Sequence, residues 1–375
     1  PARIAGTMRP FQPGFWLILL TLWCMWSAIM APRIFAGETE VFSIARNALE
    51  SRIIRIPLRP TTGNLTQLFR LMLGVLAFLA LATVFRRRPD PNPVMHAMII
   101  ATLVHCVLGW LDVLTFATGL GVLMEPLRTA NYAILDEVRM VGLKRMIGGF
   151  PEASSFGAYT LALWAFWIHF WLVSRGSRAA PWMVALTTVA LLRSTSSSAY
   201  VAAVAFLITY GAVMLLQMRS QVRRRTVSVI AATLIAVWLA GLALFSAYQF
   251  LDAVTAFMDR ALFNKLETES GVERFSWNAQ AMQNFYDTWG IGAGLGSVRA
   301  SSWLMACLGS IGAMGTLLYL TFLGTLAAAP ARSDDPTRDV VIGALKSACL
   351  ALLLVALLTK STPDLDVLFF VLAGL

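Results

Sequence analysis

Charge is what this sequence has least of. Only 13% of its 375 residues are Asp, Glu, Lys or Arg, against about 25% in an ordinary soluble domain. Hydrophobic residues make up 58% of the chain, so it cannot clothe a water-facing surface, which excludes a soluble globular enzyme. Cysteine is scarce too. Cys24, Cys106, Cys307 and Cys349 all sit inside apolar runs, with no metal-ligand spacing and no paired framework. They read as small core hydrophobes. The three histidines, His96, His105 and His169, also lie in or beside apolar runs. No nucleotide-binding glycine loop is present. Gly290, Gly292, Gly294 and Gly296 follow no strand pattern and lead to no Gly-Lys-Ser/Thr, so they support only close backbone approach to a ligand or a neighbouring helix. No repeat relates the two halves of the chain.

What is present is a series of apolar runs long enough to span a bilayer, about 20 residues each. The expected fold class is all-α: a single polytopic membrane domain over residues 1–375 with about ten spans. The expected spans are Phe11–Met30, Leu65–Phe85, Val94–Thr118, Glu152–Val173, Thr226–Ala247, Ser302–Ala329 and Val340–Leu358, with a truncated one from Leu365. Pro181–Leu216 is interrupted by Arg193-Ser-Thr-Ser-Ser-Ser198 and predicts two short helices meeting at a polar turn. Basic clusters at Arg86–Arg88, Arg175 and Arg178, Arg219–Arg225 and around Arg332 all fall on one side. The positive-inside rule makes that side cytoplasmic. Residues 31–64 then form an outer polar connection, 119–151 a second outer loop and 248–301 the longest. The net charge of +10 is thereby mostly topological, and no nucleic-acid partner follows from it.

The outer segments nevertheless keep basic residues on the disfavoured side: Arg33, Arg46, Arg52, Arg55 and Arg59, then Arg128, Arg139, Lys144 and Arg145, then Arg260, Lys265, Arg274 and Arg299. Two readings fit. Either they bind an anion, or long loops translocate regardless of charge and pair locally with Glu125, Asp136, Glu267 and Glu269. The stretch Arg33 to Arg59 leaves a similar choice, between an interfacial amphipathic helix and a solvated loop. The stretch Gly142–Phe166 favours an anion-handling mouth. Lys144, Arg145 and Glu152 sit there at the edge of a long apolar run, around Gly148-Gly149-Phe150-Pro151, which breaks any continuous helix. Charges at such an edge cost too much to be there for stability alone. Asp112, Arg70 and Lys346, near or inside spans, are further candidates on that ground, with interfacial snorkelling an equal reading for Arg70 and Lys346. In the third segment Arg274, Trp277, Ala281 and Phe285 share helical spacing, so Arg274 opens an amphipathic helix across the outer face. Asp364-Leu-Asp366 has the form of a metal motif, but Thr362-Pro363-Asp364 is an ordinary helix start, and no metal site is assigned.

The segments Lys144-Arg145-Met-Ile-Gly-Gly-Phe-Pro-Glu152-Ala-Ser-Ser-Phe-Gly157 and Glu273-Arg274-Phe-Ser-Trp277, the latter leading to Gly292-Ala-Gly-Leu-Gly296-Ser297, resemble the O-antigen polymerase and ligase superfamily. The polymerase branch is the nearer. The resemblance covers about Gly142 to Gly315. It implies a GT-C-like glycosyltransferase acting at the periplasmic face of the bacterial inner membrane on undecaprenyl-diphosphate-linked oligosaccharide, with neither metal nor cofactor. Its implied partners are that substrate, membrane lipid and, as an option, a chain-length regulator protein. The ligase branch uses a histidine in its large periplasmic loop, and residues 248–301 contain none.

The chemistry can be argued beside the resemblance. A departing diphosphate needs donors that stay charged, which arginine supplies bidentately, and an incoming sugar hydroxyl needs a base. Arg145 and Arg274 are the diphosphate candidates, with Arg139, Lys144, Arg193, Trp277 and Arg299 as substrate-binding residues. Glu152 is the first candidate base and Glu273 the second. Structural alternatives stand beside both: Glu152 as a helix cap, Glu273 as a partner of Arg274. The competing functions are a ligase and a transporter or flippase of an anionic lipid-linked glycan.

Overall fold

The computed structural model describes residues 9–47, 50–128, 139–140, 143–174, 176–217, 269–330 and 335–375. Among them the chain is mostly helical. The elements in order are α1 (Pro13–Ile34), the strands β1 (Glu40–Asn47) and β2 (Glu50–Pro57), α2 (Thr62–Arg87), α3 (Pro91–Ala117), a 3-10 turn (Gly121–Leu127), and the two-residue strands β3 (Arg139–Met140) and β4 (Leu143–Lys144). Then follow α4 (Ala153–Val173), α5 (Ala180–Arg193), α6 (Ser197–Gln217), α7 (Glu269–Asp287), α8 (Trp303–Ala328), α9 (Pro336–Thr359) and α10 (Asp366–Gly374). Seven of the described helices are long and apolar enough to cross a membrane: α1, α2, α3, α4, α6, α8 and α9. The protein is membrane-embedded. The expected span Thr226–Ala247, and residues 248–268 of the third loop, lie outside the described residues.

Two expectations change. The run from Pro181 does break at the polar turn, but unequally: α5 has 14 residues whereas α6 has 21, so the second piece is a full-length span. The stretch Arg33 to Arg59, expected as an interfacial helix or a solvated loop, contains an antiparallel pair of strands with register from Glu40↔Pro57 to Asn47↔Glu50. Its β-branched content, Val41, Ile44, Ile53, Ile54 and Ile56, suits a pleated strand better than a helix.

The chain divides into two units. The first comprises residues 1–90, 269–334 and 355–375, and its most buried span is α8. α8 is not continuous: Gly312 has φ 67 and ψ −169 in its interior, which frees the carbonyls of the preceding turn. Each finds a partner. Gly309 O accepts from Ala293 N at 2.8 Å and Ser310 O from Gly294 N at 2.9 Å. Ser310 O also accepts from Ser27 Oγ at 3.2 Å, and Ile311 O from Trp23 Nε1 at 2.8 Å. On the other side of the break Ala313 N donates to Gly290 O at 2.8 Å. The glycine run is therefore a strap laid along the broken helix. A side chain has no room at its closest points. A Cβ on Gly292 would lie 2.6 Å from Gly312 N, and one on Gly312 would strike the carbonyls of Gly290 and Ile291.

The strap is also fixed to α1 and α2. Leu295 N donates to Ser27 Oγ at 3.2 Å, and Asn64 Nδ2 donates to Leu295 O at 2.7 Å and Ser297 Oγ at 2.8 Å. Asn64 performs a second task, its Oδ1 accepting from Thr61 N at 2.8 Å at the start of α2. Beneath the strap Val41, Leu58, Ala281, Ala293, Val298, Ala300 and Ala306 form one small-residue core. α10 packs Phe370 onto Gly74 of α2, the close helix approach that small residues permit in membranes.

The second unit comprises residues 91–268 and 335–354, with α4 as its most buried span. Its polar groups are paired across helices. Trp167 Nε1 donates to Thr102 Oγ1 of α3 at 2.8 Å, and Trp164 Nε1 to Thr188 Oγ1 of α5 at 2.9 Å. His169 Nδ1 meets Tyr210 OH of α6 at 3.0 Å, so this histidine is a packed core residue, as its sequence position suggested.

Gly312→Ala is expected to abolish recovery of monodisperse protein from detergent extracts. Gly324→Ala, in the same helix with open space where its Cβ would go, is expected to be recovered at the parental level. Size-exclusion profiles of the two side by side provide the check. Equal recovery of both would show that the strap does not hold the break.

Candidate anion-binding site

Among the described residues the second unit gathers the richest set of charges around Asp112. This carboxylate lies near the end of α3 with no exposed surface, and an isolated charge there would cost several kcal/mol. It is heavily compensated. Lys144 Nζ and Arg128 both bond Oδ1 as ion pairs. Oδ2 accepts from the backbone N–H groups of Ile147 at 2.9 Å and Gly148 at 3.1 Å. Lys144 Nζ also donates to Asp112 O at 2.9 Å and lies 4.7 Å above the Phe116 ring. The loop 143–151 is thus drawn onto the end of α3 by its own backbone and by one lysine. Asp112, a candidate because it is an intramembrane charge, is the anchor of the loop.

The next residue along, Arg145, faces the polar turn between α5 and α6. Its Nη2 donates to Thr195 O at 3.3 Å. In return Arg193, from the last turn of α5, donates from Nη1 to Lys144 O at 2.7 Å. Two guanidinia thus clasp two loops reciprocally, each through a carbonyl of the other. Thr195 adopts φ 51, a conformation uncommon outside glycine, and this turns its carbonyl towards Arg145. Ser194, Thr195 and Ser196 are all buried. Gly157 of α4 lets the turn approach, since a Cβ there would lie 2.9 Å from Ala199 Cβ.

Glu152 occupies the N-cap position of α4 by backbone conformation, but its side chain caps nothing; the carboxylate accepts from Ser154 Oγ. Nearby His105 is buried and stacked on Phe156 with ring centroids 4.2 Å apart. Its Nε2 lies 2.7 Å from Thr160 Oγ1. That hydroxyl donates to Phe156 O at 2.7 Å, so His105 is the donor to it. Sequence reasoning passed over His105 and Tyr200, whose hydroxyl donates to Leu192 O at 2.5 Å beside the arginine turn. Both sit in apolar runs without a distinguishing pattern.

Of the sequence candidates, the second unit therefore brings together Lys144, Arg145 and Arg193, with Glu152 in the same loop. Lys144 is 7% exposed and is spent on Asp112. Arg145 and Arg193 keep partial exposure. The backbone of Arg139 pairs with Lys144 in the β3–β4 ladder. The first unit holds Glu273, Arg274, Trp277 and Arg299. Arg274 lies in the second turn of α7, which begins at Glu269 and is not opened by Arg274. Glu273 is exposed and Arg274 partly so, while the Arg299 guanidinium stacks 5.0 Å from the Trp277 ring.

The Asp364-Leu-Asp366 pair is a helix start. Asp364 Oδ1 accepts from Asp366 N at 3.1 Å, and the Asp366 carboxylate pairs with Lys360. Burial raises the Asp364 pKa, with the Asp366 charge adding to the rise and Lys360, the Asp366 N–H and Arg70 opposing it.

Asp112→Asn leaves two buried cations without their counter-charge and is expected to destabilise the protein by about 3 kcal/mol, read as a lower thermal midpoint in detergent. Adding Lys144→Met is expected to restore part of the loss. Independent, additive effects would show that the pair is not coupled. For Asp364 the sign is opposite. A folded-state pKa above the unfolded one favours folding below the ordinary carboxylate range and loses that contribution as pH rises through the folded pKa. Asp364→Asn is therefore expected to raise the thermal midpoint at neutral pH and to converge with the parent in acid. No protein-family model matches this chain and no curated protein matches it, so the functional reading rests on the residues described above.

Proposed function

We propose that the chain is a metal-independent glycosyltransferase that polymerises oligosaccharide repeats carried on a lipid diphosphate, acting at the periplasmic face of the bacterial inner membrane. The observation that carries the reading is the reciprocal clasp of Arg145 and Arg193 over the Asp112 anchor. A guanidinium tethered by one N–H to a carbonyl has its planar fork held in one orientation, which is what bidentate recognition of a phosphate requires. It also stays protonated where a lysine would not. Arg145 and Arg193 bind the departing diphosphate in this reading, and Lys144 and Arg128 act from beneath by holding the loop on Asp112. Glu152, oriented by Ser154, is the base for the acceptor hydroxyl. In the first unit Arg274 is the corresponding diphosphate ligand, Arg299 and Trp277 form a saccharide-stacking pair, and Glu273 is the second candidate base.

A transporter would be favoured by a broken span, because the ends of half-helices commonly bind the transported ion or anion. Here the carbonyls freed at Gly312 are taken by the glycine strap, Ser27 and Trp23. That favours the transferase.

Arg145→Ala and Arg274→Ala are each expected to lower polymer yield at least tenfold in cells, with single lipid-linked repeats accumulating and protein level and membrane insertion unchanged. Glycan ladders and lipid-linked repeat analysis of the two strains give the answer. Full-length polymer from both would overturn the diphosphate assignment, and repeats trapped on the cytoplasmic leaflet would point to transport.

A further inference from the structure

α7 is amphipathic in the reverse sense to a surface helix on a soluble protein. Its buried side is polar: Gln280, Asn284 and Thr288 are all buried. Asn284 Nδ2 donates to Glu40 O at 2.6 Å and Thr39 Oγ1 at 2.8 Å, and Gln280 Nε2 donates to Glu40 O at 2.8 Å. Thr39 Oγ1 donates to Asp287 Oδ2 at 2.6 Å, and Thr288 Oγ1 accepts from Gly292 N at 3.0 Å. Its outward side is apolar. At 3.6 residues per turn Val272, Phe275, Ala279, Met282 and Tyr286 fall within an arc of about 80°, and Trp289 follows just past the end of the helix. Phe275 is 77% exposed and Trp289 87%, and Val272 and Tyr286 are also exposed. Trp289 has φ 55, a region bulky side chains rarely adopt, and it projects outward from that conformation.

The level of this face along the spans is set by α8. A Cβ on Gly309 would lie 2.7 Å from Ala281 O, so α7 crosses α8 at that residue. Gly309 lies just before the break at Gly312, and the continuous part of α8 beyond it ends at Ala328, a stretch about 24 Å long that covers most of the ~30 Å hydrocarbon core. The crossing therefore lies where acyl chains meet headgroups, the level at which Trp and Tyr concentrate. Arg274, partly exposed, directly precedes Phe275 and lies about 80° round the helix from Met282. Beyond the crossing, Met314, Leu317 and Leu320 of α8 are exposed apolar residues as well, as a span facing lipid requires.

We propose that α7 lies in the membrane plane with Val272, Phe275, Met282, Tyr286 and Trp289 inserted at the acyl–headgroup boundary of an anionic bilayer, and with Arg274 at headgroup level. The occupant of this face is lipid. This assignment stands on the membrane-embedded fold and does not require the proposed enzymatic activity.

The test uses the full chain in nanodiscs of phosphatidylethanolamine and phosphatidylglycerol. Its native cysteines are buried, so single cysteines introduced as Phe275→Cys, Tyr286→Cys, Trp289→Cys and Glu273→Cys can be nitroxide-labelled selectively. Collision with oxygen reports lipid, and collision with a neutral nickel chelate reports water. The expected result is a several-fold higher oxygen-to-nickel ratio at positions 275, 286 and 289 than at 273, which is exposed and shares the helix side of Gln280 and Asn284. High nickel collision at all four positions would overturn the proposal in favour of a water-facing helix. Low collision with both reagents would overturn it in favour of a protein occupant, a second copy included.

Discussion

Inside a bilayer a backbone N–H or C=O without a partner has no water to turn to, and each such group costs several kcal/mol. A continuous helix solves the problem alone. The interrupted one does not, and much of the first unit can be derived from that difficulty. Gly312 breaks α8, and the carbonyls of Gly309, Ser310 and Ile311 then require donors from elsewhere. They come from the strap, from Ser27 and from Trp23, so α1 must lie where those side chains can reach. The strap must run in a close, left-handed path, so it alternates glycine. Its far end must be tied down, and Asn64 does this while serving the start of α2. One break thus fixes the neighbours of three helices.

The same constraint, applied to charge instead of backbone, shapes the second unit. Asp112 is tolerable only because two cations and two N–H groups converge on it. Those groups belong to Arg128, Lys144, Ile147 and Gly148, so compensating the carboxylate draws Arg128 and the loop 143–148 against α3. Arg145 is adjacent to Lys144 and is positioned by that folding. Its clasp with the Arg193 turn is then a consequence of where the buried lysine had to go. A buried ion pair adds little net stability over an apolar substitute. It does specify geometry, and geometry is what an arginine-lined anion site needs.

How far the sequence alone carried this picture depended on the range of the interaction. Six of the expected spans, those that became α1, α2, α3, α4, α8 and α9, were legible because hydropathy is a sum over about 20 neighbours and needs no knowledge of the fold. The break at Arg193–Ser198 was legible as a polar interruption, but the lengths of the two helices it separates were not. Reading α6 as short undervalued Ser197 and Ser198, which begin it. The hairpin 40–57 was missed because its alternation is blurred by Ile53-Ile54 and by arginines on both strands. Arg145 and Glu152 could be singled out from composition at the edge of an apolar run. That Lys144 would be consumed by Asp112, 32 residues earlier, could not, since nothing local distinguishes a lysine facing a ligand from one facing an internal carboxylate. The glycine run was recognised as a close approach, with its partner left open; Gly312, which decides the matter, looks in sequence like any small residue of a packed span.

α7 shows why amphipathicity alone does not give orientation. Helical spacing identifies two faces, one carrying Gln280, Asn284 and Thr288 and the other Val272, Phe275 and Tyr286, and in a soluble protein the second would turn inward. Here the inward partners are already determined. Glu40 O and Thr39 on the hairpin side and Gly292 N in the strap are polar and need partners, so the amide and hydroxyl face must meet them. The aromatic face is then directed outward, an arrangement that costs heavily in water and is favourable against lipid. The orientation of α7 therefore follows from the hydrogen-bonding demands of the strap and hairpin, and ultimately from the broken helix the strap repairs.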